Sequence, residues 1–133
     1  MKLKNQVCSL ELARKLKELG VKQESYFWWT FRKATTKSKE PKWMLVDGSG
    51  TGSEYYSAFT VAEMGERLPI IDGYSPVCSK HPAKWQCGYL DNEQRADHMT
   101  VLLGKFFEAD TEADARAKTL CYLLENKLTS PDV

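Results

Sequence analysis

The alternation of apolar and polar positions divides the chain into a short series of helices and strands. In "SLELARKLKEL", residues 9–19, Leu12, Leu16 and Leu19 recur at i, i+4 and i+7 with Ala13 beside them, which predicts an amphipathic helix. Ser9 suits its N-cap and Gly20 its C′ position, and Glu11 with Lys15 forms a favourably ordered i,i+4 pair. Residues 24–34, "ESYFWWTFRKA", are aromatic and β-prone. Period-two alternation puts Phe27, Trp29 and Phe31 on one face and Tyr26, Trp28, Thr30 and Arg32 on the other. "WMLV" at 43–46 pairs with this strand as a hairpin, and "EYYSAF" predicts a third strand.

"TVAEMGERLP" follows as a short helix. Thr60 and Glu63 have the spacing of a capping box, and Pro69 stops the helix at Leu68. Residues 70–83 read as irregular, with an extra strand allowed near Pro69–Asp72. "KWQCGYL" and "MTVLLGKFF" are the next strands, joined by the polar "DNEQRADH". A helix from Thr111 to Leu128 closes the fold. Ala113, Ala117, Leu120, Cys121, Leu124 and Leu128 form its apolar side, and the pairs Glu112–Arg116 and Asp114–Lys118 its polar one. Residues 129–133 read as a frayed tail. The predicted order is α-β-β-β-α-β-β-α. This is an α+β domain over residues 1–133, with a small antiparallel sheet packed by an N-terminal, a short central and a long C-terminal helix.

Composition narrows the function classes. No apolar run approaches the ~20 residues that cross a bilayer, so no membrane association is expected. "MKLKNQVCSLELARK" lacks the apolar core of a secretory signal, which points to a cytoplasmic protein whose four cysteines are free thiols. The net charge of +1 conceals an asymmetry. Residues 1–43 carry 11 basic against 4 acidic side chains, and residues 44–133 carry 8 against 14. A basic and an acidic face fit an anionic partner or head-to-tail self-association into a homo-oligomer.

Three constellations bear on chemistry. "DGSGTGS", residues 47–53, offers glycines and hydroxyls that could cradle a phosphate. It lacks the Lys of a P-loop, and the residues after it predict a strand where a phosphate site needs a helix N-terminus. It reads as a strand connection. Cys78, His81, Cys87 and His98 supply the ligand types of a structural zinc site, although C-x2-H-x5-C matches no established finger spacing. The same cysteines and histidines could pair as thiolate and base, but no nucleophile elbow accompanies them, and an enzyme is not the favoured reading. No cofactor is implied. The strongest binding feature is Tyr26, Trp28 and Arg32 on one strand face beside Lys33, Lys37, Lys39 and Lys42. Aromatics interleaved with cations can stack a base and hold its phosphates.

"CSLELARKLKELGVKQESYFWW", "YYSAFTVAEMGERLP" and "EADTEADARAKTLCYLLENKL" together resemble the opening, middle and closing motifs of a widespread group of small proteins encoded by bacteriophages and prophages. The motifs cover under half of the chain. The helix here has Met64 where a second Leu is expected nearby, and Thr119 and Cys121 where Met and Ile are commoner. The resemblance brings no catalytic residue. It implies a non-enzymatic accessory protein in the bacterial cytoplasm. Such a protein would bind a host protein or ribonucleoprotein complex, for example as an inhibitor of host defence of the anti-CRISPR kind. The alternative is a module that binds or sequesters nucleotides or nucleic acid.

Overall fold

The computed structural model describes residues 2–33, 40–48, 54–91 and 101–132. Its elements are α1 (Leu10–Glu18), β1 (Phe27–Arg32), β2 (Lys42–Asp47), β3 (Tyr55–Ser57), α2 (Val61–Arg67), β4 (Tyr74–His81), β5 (Lys84–Asp91), β6 (Val101–Ala109) and α3 (Glu112–Glu125). The class is α+β and every strand pairing is antiparallel. The strands form two three-stranded sheets, β2-β1-β3 and β4-β5-β6.

The helices begin and end where local chemistry places them. Ser9, Thr60 and Thr111 cap the three N-termini with their hydroxyls, and Thr60 with Glu63 completes a capping box. After α1, Gly20 takes φ +91°, its N–H donates to the Lys17 carbonyl, and the Val21 N–H donates to that of Leu16. This is the Schellman ending, and Gly suits its left-handed position. The same ending closes α3, with the Lys127 N–H donating to Leu124 and the Leu128 N–H to Leu123. Here the left-handed residue is Lys127, at φ +55°. Lys127→Gly is therefore expected to stabilise the protein by about 1 kcal/mol, measured by urea denaturation. α3 is one turn shorter than the periodicity predicts, and Leu128 is exposed. The tail beyond it turns back: a Cβ built on Gly20 would stand 3.5 Å from Pro131 Cγ.

Residues 74–81, expected to be irregular, form β4. Asp72 and Gly73 both have positive φ, and Ile71 and Tyr74 exchange backbone hydrogen bonds of 3.0 and 2.8 Å around them. This is the geometry of a type I′ turn, for which Asp-Gly is a strong signal. Pro76 is tolerated because β4 lies at the sheet edge, where a missing N–H breaks no ladder. Pro82 and Ala83 then form the two-residue turn into β5.

α3 is the centre of the core. It packs on β4, β5 and β6 and also against α1 and α2. Ala113, Ala115 and Ala117 are buried together with Thr119, Leu120, Cys121, Leu123 and Leu124, so apolar surface covers much of the helix instead of one stripe. Small side chains let neighbours approach it closely. The buried Thr119 hydroxyl donates to the Ala115 carbonyl at 2.9 Å. Leu16 of α1, Phe59, Met64 of α2 and Tyr89 of β5 complete the cluster.

Of the three predicted i,i+4 pairs, Glu112–Arg116 forms, at 3.4 Å. Lys15 reaches across to Glu125 of α3, and Lys118 donates to the Glu108 carbonyl. Asp114 accepts from the Ser9 N–H at 2.7 Å and so ties the start of α1 to the start of α3. Burial holds its carboxyl above the ordinary aspartate range, partly offset by that hydrogen bond. Asp114→Ala leaves the Ser9 N–H unpaired and should cost about 1–3 kcal/mol. Asp114→Asn keeps an acceptor. A carboxyl with a raised folded-state pKa contributes stability that is fully present below its unfolded pKa and is lost as pH rises through the folded one. The stability of Asp114→Asn relative to the wild type should therefore improve from acid to neutral pH, as read by denaturant melts across that range.

Candidate functional site

The face proposed from alternation does not assemble as one platform. Tyr26 precedes β1 and is 74% exposed, while Trp28 is 7% exposed and packs edge-on against Tyr55 at 5.5 Å. Arg32 stands at the far end of β1, roughly 20 Å from Tyr26 at ~3.3 Å per residue. β1 is covered on both faces at Trp28 and Trp29, which is why the alternation misleads. Trp29 faces the core and donates from Nε1 to the Cys8 carbonyl at 2.9 Å. Two of the predicted cations do meet. Arg32 and Lys42 lie directly opposite each other at the exposed end of the β1–β2 pair, with Lys33 next in the chain. Like charges so placed repel, and an anion between them relieves the repulsion. Lys37 and Lys39 lie outside the described residues.

The other face of the same sheet end carries an aromatic cluster that the alternation did not single out. Phe31 and Trp43, opposite each other in register, have ring centroids 5.3 Å apart, and Trp43 and Tyr56 are 5.8 Å apart. α1 lies against β3 and places two exposed cations over these rings. The Arg14 guanidinium is 4.9 Å from the Trp43 centroid and 5.6 Å from that of Tyr56. The Lys17 ammonium is 4.7 Å from Tyr55 and 5.1 Å from Tyr56, and it donates to the Tyr55 carbonyl at 3.1 Å. Each such contact contributes roughly 0.5–1 kcal/mol at an exposed site, so these cations help hold α1 to the sheet. They also raise the positive potential beside aromatic surface. The available signal was the i,i+3 spacing of Arg14 and Lys17 off the leucine stripe. Their meeting with Trp43 is a tertiary contact that no local pattern carries.

The proposed zinc ligands are only partly together. Cys78 and Cys87 face each other across β4 and β5. His81 is three residues beyond Cys78 in the same strand and so belongs to the opposite face. It is exposed, with its Nε2 2.9 Å from the Ser79 hydroxyl. His98 lies outside the described residues, and among the described residues no group of three or more Cys, His, Asp or Glu is arranged to hold a metal. The thiolate–base pairing of either cysteine with His81 is separated by the same sheet. The two thiols influence each other's ionisation, with Arg116 favouring and Glu112 opposing the charged form at both. Loss of the first proton is favoured at Cys87, where the neighbouring Cys78 S–H stabilises the thiolate. Cys78 is then held well above the ordinary thiol range by that interaction and by burial.

A groove of about 780 Å³ lies between the starts of α2 and α3 and the β4–β5 turn, with Gln6, Val61, Lys80, Trp85 and Glu112 in its wall. Of the glycine-rich segment, Asp47 ends β2 and Gly48 has φ +85°. Residues 49–53 lie outside the described residues; β2 and β3 pair on opposite sides of β1, and the element that follows the segment is the strand β3 and not a helix. Among the described residues no helix is long and apolar enough to cross a membrane. No family model matches the chain, and neither any curated protein nor any solved structure matches it.

Proposed function

We propose that this chain is a non-enzymatic binding protein of phage or prophage origin that acts on a host protein or protein–nucleic-acid complex. Its contact surface is the basic aromatic end of the β2-β1-β3 sheet together with α1. The observation that carries this reading is the placement of Arg14 and Lys17 over Trp43, Tyr55 and Tyr56, at the same sheet end as Arg32 and Lys42. The first 43 residues carry 11 basic against 4 acidic side chains, and Arg14, Lys17, Arg32 and Lys42 among them come to this end of the sheet. Positive charge steers an anionic partner, and half-exposed aromatics supply the central contacts that give an interface its affinity. The origin and the defence-inhibitor role rest on the resemblance in the three helix-bearing motifs. In a pull-down from bacterial lysate, the wild type should retain a defined species that Arg14→Glu with Lys17→Glu loses. Equal retention by both proteins would remove this surface from the account.

Direct contact with nucleic acid is a second reading. The tilted Phe31–Trp43–Tyr56 cluster, flanked by cations on both sheet faces, favours it. Such a surface suits unpaired bases, whose rings stack on aromatics while cations follow the backbone. Nuclease treatment of the lysate separates the two: a retained species that disappears with nuclease supports this second reading.

A further inference from the structure

We propose that Cys78 and Cys87 form a reversible thiol–disulfide site that staples the β4–β5 hairpin when a low-molecular-weight disulfide is in excess. The register places the two residues directly opposite each other. The turn between these strands has two residues, closed by the pair His81–Lys84. In such a hairpin the closing pair is hydrogen-bonded and the pairs then alternate, so Lys80–Trp85 and Cys78–Cys87 are the non-hydrogen-bonded kind. Side chains stand closest there, with Cα atoms about 4.5 Å apart, at the short end of the range a disulfide spans. No backbone movement is needed to join the two thiols.

Access and selectivity follow from burial. Cys78 is half-buried on the edge strand and Cys87 is buried beneath it. An attacking reagent therefore meets Cys78 first. The pair's remaining proton moves to Cys87 as the Cys78 sulfur attacks one sulfur of glutathione disulfide, forming a mixed disulfide and releasing one glutathione thiolate. The Cys87 thiolate then attacks the Cys78 sulfur, forming the Cys78–Cys87 bond and releasing the second glutathione. Two protein thiols are oxidised, one disulfide is reduced, and the two protons pass to the departing glutathiones. Arg116 lies beside both sulfurs, with its buried Nε–H without a hydrogen-bond partner, and favours the thiolate form. Cys8 and Cys121 are the contrast: both are buried, and burial pushes each thiol up to about 12.

The staple closes a small loop around Pro82 and Ala83 and fixes the hairpin that carries Lys80 and Trp85 into the groove. The test equilibrates the reduced full-length protein in glutathione buffers, blocks remaining thiols with N-ethylmaleimide, and maps the cysteines by mass spectrometry. The expected product has lost two of four thiols, carries a Cys78–Cys87 bond that dithiothreitol reverses, and melts roughly 5 °C or more higher. Cys78→Ser should keep its remaining thiols free of any internal bond under the same conditions. Four intact thiols at an oxidising ratio that closes a control dithiol peptide would overturn the proposal. So would a mapped bond between any other pair. Both readouts come from the wild type and do not depend on a variant folding.

Discussion

On the nucleic-acid reading, replacing Arg14 and Lys17 together by alanine is expected to weaken binding to a labelled single-stranded oligonucleotide by roughly tenfold or more at low salt, about 1.4 kcal/mol or above. The salt dependence should flatten as well. Each phosphate neutralised on a single strand contributes a slope of about −0.7 in log K against log[salt], so removing two such contacts should reduce the slope by about 1.4. Trp43→Ala should add a further loss of about 1–3 kcal/mol without changing the slope, because stacking carries no net charge. Anisotropy titrations at several salt concentrations read both quantities. A loss of affinity with an unchanged slope would mean that the two cations act only by seating α1 on Trp43, Tyr55 and Tyr56. Their cation–π contacts are real structural interactions, so the thermal stability of the double variant is measured alongside, and a fall of about 1–2 kcal/mol is expected.

The largest effect on stability is expected at Phe59. Its side chain is fully buried between the end of β3 and the start of α2, and its carbonyl accepts the Cys8 N–H at 2.9 Å. The Arg67 guanidinium lies 4.5 Å from its ring centroid. Phe59→Ala removes a large apolar group from the buried cluster that also holds Leu16, Met64 and Leu68 and should cost about 3–5 kcal/mol. That is a large part of the ~5–15 kcal/mol that holds a domain of this size folded. The variant also leaves Arg67, whose Nε–H is buried without a hydrogen-bond partner, with no ring beneath it. Urea denaturation should show the loss as a lower midpoint with an unchanged slope. Tyr26→Ala, at an exposed position, should stay within about 0.5 kcal/mol of the wild type in the same assay.

What the sequence revealed follows the range of the interactions involved. Capping residues act within one helical turn, so Ser9, Thr60 with Glu63, and Gly20 announced the helix ends, and Pro69 announced a stop. Leu12, Leu16 and Leu19 announced the buried side of α1 in the same way, and all three belong to or pack against the core. β4 was concealed by Pro76 within it and Pro82 just after it, although the Asp72–Gly73 turn before it is a local signal. The central position of α3 was also concealed. A helix buried by a sheet on one side and helices on the other needs small residues all round, and Ala115 and Thr119 do not stand out in an apolar count.

The candidate site was less legible because its geometry is set by contacts distant in the chain. Period-two alternation states which side chains of β1 share a face but not which face is covered, and Trp28 is covered. Arg14 and Lys17 reach Trp43 and Tyr56 only once α1 has packed on the sheet. The opposition of Arg32 to Lys42 depends on strand register in the same way. For the cysteines, a C-x2-H-x5-C spacing suggested a shared metal. The strand pleat instead keeps Cys78 and Cys87 together and turns His81 to the other face.

Site-specific photo-cross-linking from the folded protein tests the contact surface most directly. A photoreactive amino acid is placed in turn at Lys17, beside the Trp43–Tyr56 cluster, and at Val77, exposed on the outer face of the β4-β5-β6 sheet. A discrete cross-linked host product is expected from position 17 and none from position 77. Cross-linking from position 77 alone would contradict it and move the partner to the second sheet.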